Sequence, residues 1–129
     1  MGTMLGNGVR FGPGDDVLVA GEGIETVLSV RSALPSMATL AGLSAVHLAA
    51  IQFPEGLRRL YVLRDRDPAG AAARDTLCSR AEDAGIKALT LTPRLGDFND
   101  DLSRYGLTAL RARLRLHLHP EDVARFLAI

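Results

Sequence analysis

Leu60-Tyr61-Val62-Leu63-Arg64-Asp65-Arg66-Asp67-Pro68-Ala69-Gly70 is a short apolar run that ends in two carboxylates and passes straight into a helix-starting sequence. An apolar run without alternation suits a strand buried on both faces, as in a parallel sheet. If the backbone stays extended to Asp67, residues two apart point the same way. Asp65 and Asp67 then face one side, and Arg64 and Arg66 face the other. Paired carboxylates with open positions suit a magnesium ion, which keeps several waters and takes few protein ligands. Asp67-Pro68 is also a sound N-cap followed by proline at the first helical position. Asp65 has no cap to make, and an acid at the end of an apolar strand costs desolvation unless it is partnered.

Upstream, Val17-Leu18-Val19-Ala20 reads as another buried strand, followed at once by Gly21-Glu22-Gly23. Glycine on each side lets the backbone turn sharply and approach a ligand. The helix expected from Ile24 to about Ala33 offers free N–H groups to an anion. Ile24, Val27, Leu28 and Arg31 share a face at helical spacing, and Pro35 ends the helix. The third glycine of a dinucleotide fingerprint falls on Thr26, so that motif is absent. Glu22 is a candidate general acid or base; its plainer role is to favour the helix dipole, as Glu25 does in the first turn. Met37 to Ala41 reads as a strand. Leu43 to Ile51 reads as a helix with Leu43, Val46, His47 and Ala50 on one stripe.

Downstream, Pro68 to Ala84 reads as a long helix capped by Gly85, and Ile86 to Leu91 as a strand. Asp97-Phe98-Asn99-Asp100-Asp101 opens a further helix. Asn99 is the expected cap there, Asp100 and Asp101 favour the dipole, and Asp97 falls outside that explanation. Leu107 to Leu118 is helical, and Pro120 starts a last helix to Ile129. Arg104, Arg111, Arg113 and Arg115 form either a solvated face or a phosphate-contacting patch. Strand and helix alternate with short connections, which predicts an α/β fold: a mainly parallel sheet of about four strands with helices on both faces. In such sheets ligands sit beyond the carboxyl ends of the strands, so Glu22, Asp65 and Asp67 are expected to converge. Residues 1–13, rich in glycine, are expected as a flexible lead-in with a short extended piece at Val9-Arg10-Phe11.

Composition narrows the function. The 129 residues suit one domain, and 47% hydrophobic content is too high for disorder. Fifteen basic residues balance fifteen acidic ones, so any nucleic-acid contact must come from a local patch. Cys78 is the single cysteine, which excludes a disulfide framework and a cysteine-based zinc site. There is no P-loop, and Ser29, Ser32 and Ser36 lack His–Asp partners for a serine hydrolase. No apolar run is long enough to span a membrane, no signal peptide is evident, and a cytoplasmic location is expected.

Three stretches together resemble the Toprim domain, of the phage- and plasmid-type primase or primase-helicase kind. Val17-Leu18-Val19-Ala20-Gly21-Glu22-Gly23-Ile24-Glu25-Thr26 is similar to its opening motif. Arg64-Asp65-Arg66-Asp67-Pro68-Ala69-Gly70 is similar to its D-x-D motif, and Gly96-Asp97-Phe98-Asn99-Asp100 to a third acidic stretch. The resemblance spans roughly residues 14–106 and leaves 107–129 as a helical extension. It implies a compact Rossmann-like fold, Glu22 as the acid–base residue, and Asp65, Asp67 and Asp97 as ligands of Mg2+ or Mn2+. Gly21, Gly23, Arg64, Arg66, Asn99 and Asp100 are the implied contacts to nucleotides and single-stranded DNA. The implied activity is primase-like nucleotidyl transfer within a larger replication protein, with other domains of that protein as partners. A Toprim nuclease and a non-catalytic metal- or nucleic-acid-binding module are the alternatives.

Overall fold

The computed structural model describes residues 3–5, 8–12, 14, 16–65 and 68–127. Arg66 and Asp67 lie outside them. Among the described residues, six strands form one sheet in the order β1-β2-β4-β3-β5-β6. They are β1 (Thr3–Leu5), β2 (Gly8–Phe11), β3 (Val17–Gly21), β4 (Ala38–Ala41), β5 (Arg59–Leu63) and β6 (Lys87–Leu91). The helices are α1 (Ile24–Ala33), α2 (Ala45–Ala49), α3 (Ala71–Asp83), α4 (Phe98–Tyr105), α5 (Leu107–His117) and α6 (Pro120–Asp122). A 3-10 turn, Pro68–Gly70, leads into α3, and a π turn, Val123–Leu127, prolongs α6.

The four strands β4, β3, β5 and β6 are mutually parallel, as their apolar runs predict. Alternate residues of β3 and β5 serve opposite faces. Val17, Val19, Tyr61 and Leu63 pack with α1, α4 and α5 through Val27, Val30, Phe98, Leu110 and Leu114. Leu18, Ala20, Leu60 and Val62 pack with α2 and α3 through Leu48, Leu77 and Ala81. Both faces are therefore covered by helices, which is why these strands carry no polar alternation.

The described opening residues add two strands to the sheet, and the extended piece expected at Val9-Arg10-Phe11 lies within β2. β1 and β2 pair antiparallel, and β2 pairs antiparallel with β4, Val9 opposite Ala41. β4 would otherwise present an unpaired edge. Gly8 permits the approach, because a Cβ there would lie 2.7 Å from the Ala41 carbonyl oxygen. At the other end, Leu118, Phe126 and Leu127 join the core under α1. Asp122 anchors that segment to β5 through Arg59 and Tyr61.

Two helix faces also differ from expectation. On α1 the buried residues are Val27, Ser29, Val30 and Ala33, while Ile24 and Leu28 are exposed. On α2, Leu48 faces the core, with Ile51 beyond it, and Leu43, Val46 and His47 face outward. Ser44 sets the later start of α2, its hydroxyl accepting the His47 N–H at 3.1 Å. The Leu48 turn of α2 packs directly on Gly42, where a Cβ would sit 2.8 Å from Leu48 Cα. Backbone cannot retreat as a flexible side chain can. Gly42→Ala is therefore expected to cost about 1–3 kcal/mol, the range for overpacking, read as a lower urea midpoint with an unchanged slope.

Candidate functional site

The chain leaves β3 through α1 towards β4, and leaves the neighbouring β5 through α3 towards β6. Departures in opposite directions from adjacent parallel strands open a crevice at their carboxyl ends. Glu22 follows β3 and Asp65 follows β5, so each acid stands on one lip of that crevice. Glu22, Asp65 and Asp97 line one open cleft of about 410 Å³, rimmed by Gly23, Thr26 and Leu43.

Backbone bonds fix both lips. Beyond the β3–β4 pairing, Gly42 N–H donates to the Gly21 carbonyl at 2.8 Å and Leu43 N–H to the Glu22 carbonyl at 2.7 Å. Beyond β5, Arg64 N–H donates to the Leu91 carbonyl at 2.9 Å. The two glycines beside Glu22 do different work. A Cβ on Gly21 would meet Val27 Cγ2 at 3.0 Å and Leu63 Cδ1 at 3.1 Å, so Gly21 serves packing. Gly23 is the N-cap of α1, with no side-chain cap bond, and a Cβ there would meet only Thr26 Oγ1, at 3.9 Å. Leu43 holds φ at 74°, a left-handed conformation that costs a leucine roughly 1–2 kcal/mol. Such strain on the rim of an acidic cleft is a feature the sequence did not signal.

Asp65 is half-buried and accepts from Arg74 Nη1 at 3.1 Å. Arg74 rises from α3 with a side chain only 10% exposed. Its guanidinium lies over Gly70: a Cβ there would be 2.7 Å from Arg74 Nη1 and 3.2 Å from Glu22 Oε2. The missing side chain thus leaves one space that Glu22 and Arg74 share. Neither Arg74 nor Gly70 stood out among the candidates.

The third acidic stretch resolves differently from expectation. Asp97, not Asn99, is the N-cap of α4, its Oδ1 accepting from Asp100 N–H at 2.8 Å. Asn99 instead accepts from Ser29 Oγ at 3.1 Å, tying α4 to α1. Asp101, 2% exposed, accepts the Arg94 and Leu95 N–H groups at 2.7 Å each and pins the loop before α4. Asp100 is exposed on the outer side of that turn. Arg64 is exposed and lines a second pocket on the β6 side of Asp65.

The cleft's acids offer only carboxylate oxygens, the donor chemistry of a hard divalent cation. Among the described residues, no three His, Cys, Asp or Glu side chains lie close enough together to hold a metal ion. Asp65 is bonded to Arg74 and Asp97 to its own helix. Asp67, the other half of the expected carboxylate pair, lies outside the described residues, as does Arg66. Among the described residues no helix is long and apolar enough to cross a membrane.

Comparison with known proteins agrees with this architecture. A sequence profile described as "Toprim domain" matches residues 17–107. No curated protein matches the chain. A crystal structure of the Aquifex aeolicus primase, comprising its zinc-binding and RNA polymerase domains, superposes with a TM-score of 0.51 at 20% sequence identity. The superposition covers 84% of this chain and 28% of the primase chain, and at that identity it shows a shared fold. With the profile spanning both sheet-end acids and the strands that present them, this chain belongs to the Toprim domain family.

Proposed function

We propose that this chain is the Toprim domain of a primase-like protein, and that it serves magnesium-dependent nucleotidyl transfer on a single-stranded DNA template. The observation that carries the reading is the placement of Glu22 and Asp65 on the two lips of the β3/β5 crevice, facing one cleft with Asp97. Toprim domains generally bind divalent metal ions. Asp65, Asp67 and Asp97 are the residues that would hold Mg2+ or Mn2+ here. When bound, the ion would neutralise phosphate charge and align the reacting oxygens.

The chain's own groups do the rest. Glu22 accepts the proton of the attacking 3′-hydroxyl as the new O–P bond forms and the bond to the pyrophosphate leaving group breaks. The strained Leu43 turn, whose N–H donates to the Glu22 carbonyl, fixes where the Glu22 backbone stands. Asn99 holds α4 against α1 and so holds the Asp97 side of the cleft. Arg64 and Asp100 would border the path of nucleotides and template, and the resemblance gives Arg66, outside the described residues, the same role. The protein would work in the cytoplasm with other domains of a larger replication protein.

Two measurements test this. Mg2+ titration followed by amide NMR is expected to move residues around Glu22 and Asp65 in a saturable way, with the response lost in Asp65→Asn. Supplied with nucleotides and a single-stranded template, the chain joined to its parent's other domains is expected to make new phosphodiester bonds. Shortening of DNA without nucleotides would instead assign the same cleft to a nuclease, and an equal metal response in wild type and Asp65→Asn would remove the metal site.

A further inference from the structure

A pocket of about 530 Å³ lies on the far side of Asp65 from the acid cleft, walled by Arg64, Asp65, Arg74, Pro68, Pro93 and Leu95. We propose that it is a phosphate subsite, in which the Arg64 and Arg74 guanidiniums hold the phosphate chain of a nucleotide. This rests on the proposed function, because it supplies that reaction with a place for the nucleotide's charged tail.

The position is the first reason. Asp65 lines both the pocket and the acid cleft. A phosphate chain lodged in the pocket therefore lies beside the acid cleft, with Asp65 between the two. The volume falls within the range typical of small-molecule sites. Pro68, Pro93 and Leu95 give apolar walls, and Asp65, the carboxylate in the described lining, is paired with Arg74.

The charges are the second reason. Glu22, Asp65 and Asp97 repel any anion that approaches the cleft, and the chain as a whole has no net positive charge to offset them. Attraction must be local, and these two arginines provide it. Arg74 is a built feature: its side chain is 10% exposed, it is anchored on Asp65 Oδ1 at 3.1 Å, and Gly70 leaves the space its guanidinium occupies. One bond to a carboxylate uses one of five donors in a planar fork, and the remainder suits a second oxyanion. Arg64 is held at its backbone to Leu91 while its side chain is exposed at the rim. It makes no ion pair among the described residues. Arginine binds phosphate through parallel N–H···O bonds where lysine acts only as a point charge.

The test uses side-chain NMR of arginine Nε–Hε groups in the intact chain, with EDTA present so that no metal contributes. Inorganic triphosphate is the probe. Saturable shifts confined to Arg64 and Arg74 are expected. Arg64→Ala, on the surface, and Arg74→Lys, which keeps the charge but loses the fork, should each weaken binding about ten-fold or more, the scale of one charge-assisted hydrogen bond. Arg104→Ala should leave it unchanged. A single-stranded oligothymidylate forms the second arm. Shifts at Arg64 and Arg74 with the oligonucleotide but not with triphosphate would overturn the assignment to a nucleotide's phosphate chain in favour of a template phosphate. Shifts spread evenly over all arginines, or equal weakening by Arg104→Ala, would overturn the subsite. The proposed function is read separately by Mg2+ titration without triphosphate: a normal metal response with silent arginines removes the pocket and leaves the metal site standing.

Discussion

Asp122→Ala is expected to destabilise the protein by about 3–5 kcal/mol, the cost of breaking a buried ion pair by removing one partner. Asp122 is 1% exposed and Arg59 6% exposed. Arg59 grips both carboxylate oxygens, Nε to Oδ2 at 2.5 Å and Nη2 to Oδ1 at 2.8 Å. The Tyr61 hydroxyl donates to the same carboxylate and accepts the His119 N–H at 2.9 Å. Removing Asp122 leaves a guanidinium and a phenol buried without their acceptor. Glu121, 3.4 Å from Arg59 Nη2 but 65% exposed, replaces little of it. For a domain of this size the loss corresponds to a fall of about 10 °C or more in melting temperature. The contrast is Asp16, bonded to Arg125 and Arg58. Arg125 holds its pKa down to about 2, yet all three side chains are at least one-third exposed. Solvent screens such pairs, so Asp16→Ala should cost less than about 1 kcal/mol.

The same network predicts a pH dependence. Burial alone would raise the Asp122 pKa; the bonds from Arg59 and Tyr61 outweigh it and hold it below the usual carboxylate range. A depressed folded-state value contributes stability above the unfolded pKa of about 4, and that contribution is lost as pH falls towards the folded value. Burial, then the bond to Asp122, raises the Tyr61 pKa above its ordinary value. Its contribution is present below about pH 10 and is lost as pH rises through the folded value. Denaturation midpoints measured across pH should fall at both ends, and Asp122→Asn should flatten the acid limb.

The parallel core was legible because strands buried on both faces must be continuously apolar, and Val17–Ala20 and Leu60–Leu63 can hardly be anything else. The sheet-end acids were legible for the same reason: a charge that interrupts such a run marks where the strand leaves the core. What escaped depends on partners distant in sequence. The extended piece at Val9-Arg10-Phe11 was legible, but not its pairing with β4, which needs Gly8 to let the strands approach. Asp122 reads as an ordinary first-turn acid until it meets Arg59, 63 residues earlier. The stripe on α1 was misread because Ile24 and Leu28 are apolar without facing the core. In the run from Asp97 to Asp101 a shift of one or two positions changes which residue caps, and only Phe98 entering the core fixes the register, with Asp97 as cap and Asp101 buried. Arg74 escaped because its value to Asp65 rests on Gly70, a residue defined by what it lacks.

Glu22→Gln and Asp65→Asn should separate two roles that a loss of activity alone would merge. Both changes are nearly isosteric and both remove one negative charge, so packing around Gly70 and Arg74 should survive. In the proposed reaction Glu22 accepts a proton, and glutamine cannot. Loss of a positioned general base typically costs 10²–10⁴-fold in rate, and about that fall in kcat is expected. Metal affinity should weaken far less, because Asp65, Asp67 and Asp97 remain. Asp65→Asn should instead abolish the saturable metal response, because it removes one anionic donor and leaves the Arg74 cation in the site without its counter-charge. The two variants should therefore differ in a Mg2+ titration read by amide NMR while both fail in phosphodiester synthesis. If Glu22→Gln loses metal binding as completely as Asp65→Asn, Glu22 is a ligand and the proton must go elsewhere. If it keeps both metal binding and full activity, Glu22 takes no part in the chemistry, and the crevice between β3 and β5 loses its assigned acid–base group.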